Sequence, residues 1–107
     1  MTLEEKEKAI IDHYGLRNQL KHLFSEIYEL TEAILEQEIY TNIENVFHCG
    51  IDTIYLKEHT NEEFGDTEHL LDQIALKLEI VREKVLKVKE YKADRQLKRI
   101  ELEKKKV

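Results

Sequence analysis

An all-α fold, a helical bundle of long antiparallel helices, is what this chain predicts, and three observations predict it. It holds no proline and only three glycines in 107 residues, so little in it interrupts a helix. Charged residues make up 37 % of it, and Glu, Lys, Leu and Ile dominate. Apolar residues also recur at steps of three and four, as in Leu16, Leu20, Leu23, Ile27, Leu30 and Ile34. At this length the chain reads as one helical domain, residues 1–107.

The first helix is expected from about Leu3 to Glu38, with Gly15 kinking it or setting off a short lead-in over Thr2–Tyr14. Tyr40-Thr41-Asn42 reads as a turn. A second helix, about Ile43 to Glu58, would bury Val46, Phe47, Ile51, Ile54 and Tyr55, with Gly50 as its weak point. His59-Thr60-Asn61 reads as the next boundary, because Thr60 followed by Glu63 matches a capping box. A third helix then carries Leu70, Leu71, Ile74, Leu78, Val81, Val85 and Val88 and runs past Tyr91. Residues 93–107 form its basic end or a frayed tail.

A net charge of −6 argues against general binding to a nucleic-acid backbone, which needs a basic face. Positive charge does gather late, in Lys84–Lys92 and Arg95–Lys106, which reads as a solvated helix face or a phosphate-binding element. Cys49 is alone, so a disulfide framework within one chain is excluded, and it reads as a small buried hydrophobe in a reducing compartment. No apolar run approaches the ~18 residues of a membrane span, and the acidic start lacks a signal-peptide pattern, so a cytoplasmic protein that does not engage membranes is expected.

Two acidic pairs carry the chemistry: Glu26 with Glu29, and Glu63 with Asp66. Spacing of three places both carboxylates of a pair on one side of a helix, roughly 5–6 Å apart at Cβ. Glu26 lies about 80° and Glu29 about 140° from the centre of the first apolar stripe. Glu63 falls near the middle of its own stripe, with Asp66 about 75° away. Carboxylates at a core border are costly unless paired, hydrogen-bonded or metal-bound, and hard divalent cations take such oxygen ligands. If the two helices pack antiparallel, the pairs face each other across one groove. Solvated helix acids are the competing reading, since a chain with 23 Asp and Glu repeats this spacing elsewhere, as in Glu4 with Glu7.

The segment Gln19-Leu20-Lys21-His22-Leu23-Phe24-Ser25-Glu26-Ile27-Tyr28-Glu29-Leu30 resembles the first motif of MazG-type nucleotide pyrophosphohydrolases, a leucine-rich helix bearing E-x-x-E. Glu62-Glu63-Phe64-Gly65-Asp66 resembles their second motif, the more specific half because of its glycine. The similarity spans about Leu16 to Ile80. It implies an all-α NTP pyrophosphohydrolase-like bundle that assembles as a dimer or tetramer. It further implies Mg²⁺-dependent hydrolysis of nucleoside triphosphates, dNTPs or modified NTPs among them, to monophosphate and pyrophosphate. Mn²⁺ is a possible substitute. Glu26, Glu29, Glu63 and Asp66 would then be the metal ligands, with Glu26 or Glu29 as the general base. Two departures stand out: the interval from Glu29 to Glu63 is long for the family, and Thr67-Glu68 follow Asp66 where the family is aliphatic. Lys77, Arg82, Lys84, Lys92 and Arg95 are candidates for phosphate contacts by location alone.

Other polar and aromatic residues have plainer readings. His22, one turn before Glu26, is a partner of that carboxylate or an ordinary flank histidine. Adjacent His48 and Cys49 point to different helix faces and do not suit a metal pair, and His69 is a poor Mg²⁺ ligand. Tyr28, Tyr55 and Tyr91 stack on a base or pack as amphipathic residues. From a different class altogether, the chain also reads as a non-catalytic oligomerisation or adaptor protein.

Overall fold

A computed structural model describes residues 1–106 as four helices with no strand among them: α1 (Leu3–Tyr14), α2 (Leu16–Phe47), α3 (Thr53–Lys77) and α4 (Arg82–Lys105). The fold class is the all-α one expected, but the helix boundaries differ. Tyr40-Thr41-Asn42 lies inside α2 and His59-Thr60-Asn61 inside α3, so the expected second helix does not exist as a unit. The third helix ends at Lys77 instead of running past Tyr91. The basic segment 93–107 is helical to Lys105, and residue 107 lies outside the described residues. No helix is long and apolar enough to cross a membrane.

Local chemistry explains where the breaks fall. The T-x-x-E signature that caps a helix is Thr2–Glu5, whose hydroxyl accepts the Glu5 N–H at 3.1 Å. Gly15 at φ +88° separates α1 from α2, a conformation glycine reaches without strain. At the other end of α2, His48 adopts the left-handed C-cap (φ +51°) and Gly50 turns at φ +89°. Asp52 then caps α3 by accepting the Tyr55 N–H at 2.9 Å. Threonine and asparagine at 40–42 and 59–61 are tolerated within helices because packing outweighs their modest propensity cost. Thr60 caps nothing: its hydroxyl donates to the Leu56 carbonyl at 3.0 Å.

Between α2 and α3, the Glu44 carboxylate accepts the Gly50 and Ile51 N–H groups, at 3.1 and 2.8 Å, and these bonds hold it below the usual carboxylate range. Glu44→Ala is therefore expected to lower the melting temperature. Its penalty should shrink as the pH falls and the carboxylate protonates, because a depressed pKa stabilises the fold only while the group is ionised. Thermal melts at pH 7 and pH 3.5 check this. Cys49, in the same turn, is exposed, not the buried hydrophobe expected.

Helices α2 and α3 form an antiparallel hairpin. The Thr60 hydroxyl also reaches the Ala33 carbonyl and the Thr67 hydroxyl the Glu26 carbonyl, both at 3.4 Å, while Gln19 Nε2 donates to Gln73 Oε1 at 2.7 Å. Thus Gln19, Glu26 and Ala33, spaced by seven, form the seam of α2, against Thr60, Thr67, Leu70 and Ile74 on α3. The seam is more polar than the expected apolar stripe of α2, which is only partly turned inward: Leu16, Leu23 and Leu30 are half-buried, whereas Leu20, Ile27 and Ile34 are exposed, as are Phe24 and Leu35 beside them. The expectation that the whole stripe forms the core is corrected.

Helix α1 closes one side of the hairpin. Ile11 is wholly buried, and Glu7, 5 % exposed, meets His69 Nδ1 at 3.0 Å. Lys77 reaches Asp12 at 3.2 Å at the rim. Helix α4 packs against none of the other three among the described residues.

Candidate metal centre

The antiparallel hairpin sets Glu26 and Glu29 of α2 opposite Glu63 of α3, and one carboxylate oxygen from each lies within 4.8 Å of the other two. The i,i+3 spacing fixes the first two on one side of their helix. The pairing of Glu26 with Thr67 fixes their height against Glu63, one turn earlier on α3. Asp66 stands beside this trio, not within it. Its charge acts on both Glu26 and Glu63, and it lines a cavity of about 380 Å³ together with Glu26.

The trio is electrostatically uncomfortable. Burial, then the charges of Glu29, Asp66 and Glu63, push the Glu26 carboxyl up to about 7. Burial, followed by Glu29 and Asp66, also raises Glu63, with His59 opposing. Glu26 Oε2 and Glu63 Oε2 are each buried without a hydrogen-bond partner among the described residues. Like charges about 4 Å apart repel by about 1 kcal/mol in water and ~4 kcal/mol near a protein surface. The cluster therefore favours anything that neutralises it, a proton or a cation. Three to four carboxylate oxygens with free lone pairs suit a hard divalent ion, which prefers oxygen donors.

The cavity beside the acids has a floor that the sequence reading missed. Ile10 and Tyr14 of α1 line it with Gln19, His22, Asp66, His69, Leu70 and Gln73. Gln73 is 1 % exposed, and its amide is tied to that of Gln19. A heptad count would have found these two, since Gln19 precedes Glu26 by seven and Gln73 follows Asp66 by seven. His22 does border the same cavity as Glu26.

The basic candidates do not gather here. Lys77 is paired with Asp12, Arg82 with Asp72, and Lys84, Lys92 and Arg95 belong to the free α4. No Lys or Arg is among the described residues that line this cavity. His48 and Cys49 lie in the exposed turn, away from the acids, and Tyr28, Tyr55 and Tyr91 are exposed.

Gly65, between Glu63 and Asp66, sits inside α3, and a Cβ there would meet nothing within 4 Å. Helical glycine costs ~1 kcal/mol relative to alanine. Gly65→Ala should therefore raise the melting temperature by about 4–8 °C, the scale for 1 kcal/mol in a domain this small. A calorimetric scan of both proteins checks this.

No family model, curated protein or solved structure matches the chain.

Proposed function

We propose that this chain is a Mg²⁺-dependent nucleoside triphosphate pyrophosphohydrolase of the MazG type, acting in the cytoplasm as a dimer or tetramer. The observation that carries the reading is the convergence of Glu26, Glu29 and Glu63 within 4.8 Å across two helices, with buried, unpartnered oxygens on Glu26 and Glu63. Glu26, Glu29 and Glu63 would hold the ion, with Asp66 at its edge, and Mn²⁺ would fit the same donors. The bound ion would neutralise phosphate charge and lower the pKa of a water. The chain's own residues then position and protonate. Whichever of Glu26 and Glu29 makes no direct bond to the ion would take the proton from that water as the general base. The cavity lined by Tyr14, His22 and the Gln19–Gln73 pair gives the rest of a nucleotide room beside the acids. With no Lys or Arg on that lining, the triphosphate charge would fall to the cation to balance.

The reaction class has a direct assay. A panel of canonical and modified dNTPs and NTPs is incubated with Mg²⁺, with Mn²⁺ and with EDTA, and pyrophosphate and phosphate are measured separately. Pyrophosphate and monophosphate, lost in EDTA, are expected. Phosphate in place of pyrophosphate would overturn the attack at the α phosphate. The exposed apolar stripe of α2 favours a second reading, a non-catalytic oligomerisation or adaptor protein, and no product from any nucleotide with either metal would favour it.

A further inference from the structure

The cavity beside the acids has two ends. Gln19, His22 and Glu26 line it from α2, and Asp66, His69 and Gln73 line it from α3, each set at steps of three and four. The antiparallel hairpin runs the two sets in opposite order. The carboxylates of Glu26 and Asp66 therefore share one end, and the amides of Gln19 and Gln73 share the other. Seven residues separate the ends on each helix, a rise of ~10 Å. Glu7 meets His69 and Asp12 meets Lys77, so α1 runs alongside α3 in the same direction and brings Ile10 to the amide end. Tyr14, one turn further on, and Leu70 add apolar surface to the same cavity.

Both amides are deeply set, Gln19 at 5 % exposure and Gln73 at 1 %. Their mutual bond, Gln19 Nε2 to Gln73 Oε1 at 2.7 Å, uses one donor and one acceptor. Gln19 Oε1 and Gln73 Nε2 make no other hydrogen bond among the described residues, yet neither is sealed from solvent. The sealed side-chain atoms without a partner are Glu26 Oε2, Thr41 Oγ1 and Glu63 Oε2. The cavity that both glutamines line is the opening they share. An acceptor and a donor thus stand side by side at its inner end. Turning both amides over, so that Gln73 donates to Gln19, exchanges the two roles and keeps one of each.

We infer that the Gln19–Gln73 pair recognises a nucleobase, along the planar edge where a hydrogen-bond donor and an acceptor are neighbours. Every common base carries such an edge, and Ile10, Tyr14 and Leu70 suit the faces of the ring. Uracil and guanine present a carbonyl beside a ring N–H, whereas cytosine and adenine present an amino group beside a ring nitrogen. These two orders meet opposite states of the pair, so it selects for the presence of a base more than among bases. The phosphates and the cation are left to the carboxylate end. The inference rests on the nucleotide reading of the acids and adds to it what holds the base.

The double variant Gln19→Met with Gln73→Met tests it on the full-length chain. It keeps the volume of both side chains and removes both partners of the bond together, the change least costly to folding, so circular dichroism should stay helical. Pyrophosphate release is measured over deoxynucleoside triphosphates and over deoxyribose triphosphate, which has no base. In the variant, KM should rise at least about tenfold for each deoxynucleoside triphosphate, the scale of one bidentate base contact, and stay within about twofold for the baseless substrate. Equal changes for both kinds of substrate would overturn the inference and leave the pair a strut of the seam, with the hydrolase intact. If no nucleotide is hydrolysed, the hydrolase reading fails and the amide end is judged by itself. Deoxyuridine and deoxyadenosine, which carry no phosphate and need no metal, should then shift the assigned side-chain NH₂ resonances of Gln19 and Gln73 in the unaltered chain. Unmoved resonances at millimolar nucleoside overturn the inference.

Discussion

Pyrophosphate release from the preferred nucleotide is expected to fall more than ~100-fold in Glu26→Ala, Glu29→Ala and Glu63→Ala, and no more than about twofold in Glu36→Ala. Loss of a group that merely orients a metal ligand costs ~10–100-fold, so loss of a ligand itself should exceed that. Glu36 is the fitting control, an exposed acid of the same helix outside the cluster. Asp66→Ala ranks the fourth acid. A loss as large as those of the trio would make Asp66 a ligand, and a loss of ~10-fold would make it a nearby charge. Folding is not the confounding factor it would be at an ordinary buried site, because each substitution removes repulsion from an unpaired cluster, so metal-free stability should hold or rise. If all five variants hydrolyse alike, the acids are surface charge and the adaptor reading stands.

A divalent cation should also reverse the pH dependence of stability. Glu26 titrates at about 7 in the fold, above its ordinary 4.5, and Glu63 shifts in the same direction. The folded chain therefore binds these protons more tightly than the unfolded one. The resulting stabilisation is complete below the ordinary carboxylate range and is lost as the pH rises through about 7. In EDTA, the melting temperature should thus drop between pH 5 and pH 8 more steeply for the unaltered chain than for Glu26→Gln. Mg²⁺ takes the place of those protons, so its effect should grow over the same interval. A cation at ten times its Kd adds about 1.4 kcal/mol, worth about 6–11 °C at the 4–8 °C per kcal/mol typical of this size. Equal pH slopes in the two proteins, together with no shift on adding 10 mM Mg²⁺ or Mn²⁺ at pH 8, would remove the metal reading.

Charge segregation also bears on how the whole molecule is read. The net charge of −6 hides an acidic three-helix body and a basic fourth helix. A single total describes neither half, whereas a count taken element by element would have separated them.

How much was legible in advance follows from which interactions are local. Helix as the only regular structure is a local property, set by the absence of proline, the scarcity of glycine and the three-and-four periodicity. So is the placement of Glu26 with Glu29, and of Glu63 with Asp66, on one side of each helix, because 3.6 residues per turn dictates it. Tertiary structure alone decided which face of α2 meets α3. The rule that an apolar stripe turns inward assumes that the core lies within one chain. Here the seam is built from Gln19, Glu26, Ala33, Thr60 and Thr67, small or hydrogen-bonding residues that let two helices approach closely, while Phe24 and Ile27 face out. The break at residues 48–52 falls at Gly50, the weak point the sequence marked, whereas the one at 78–81 and the continuity of α3 through Thr60 escaped for a related reason. Thr60–Glu63 carries the same capping signature as Thr2–Glu5, and only packing decides that one pair starts a helix while the other lies in the middle of one. The sequence by itself determined the fold class and the two acidic pairs. Their convergence, and the freedom of α4, came from the antiparallel register of α2 on α3 and from the turn at Glu79, because contacts between residues distant in the chain leave no periodic trace within either helix.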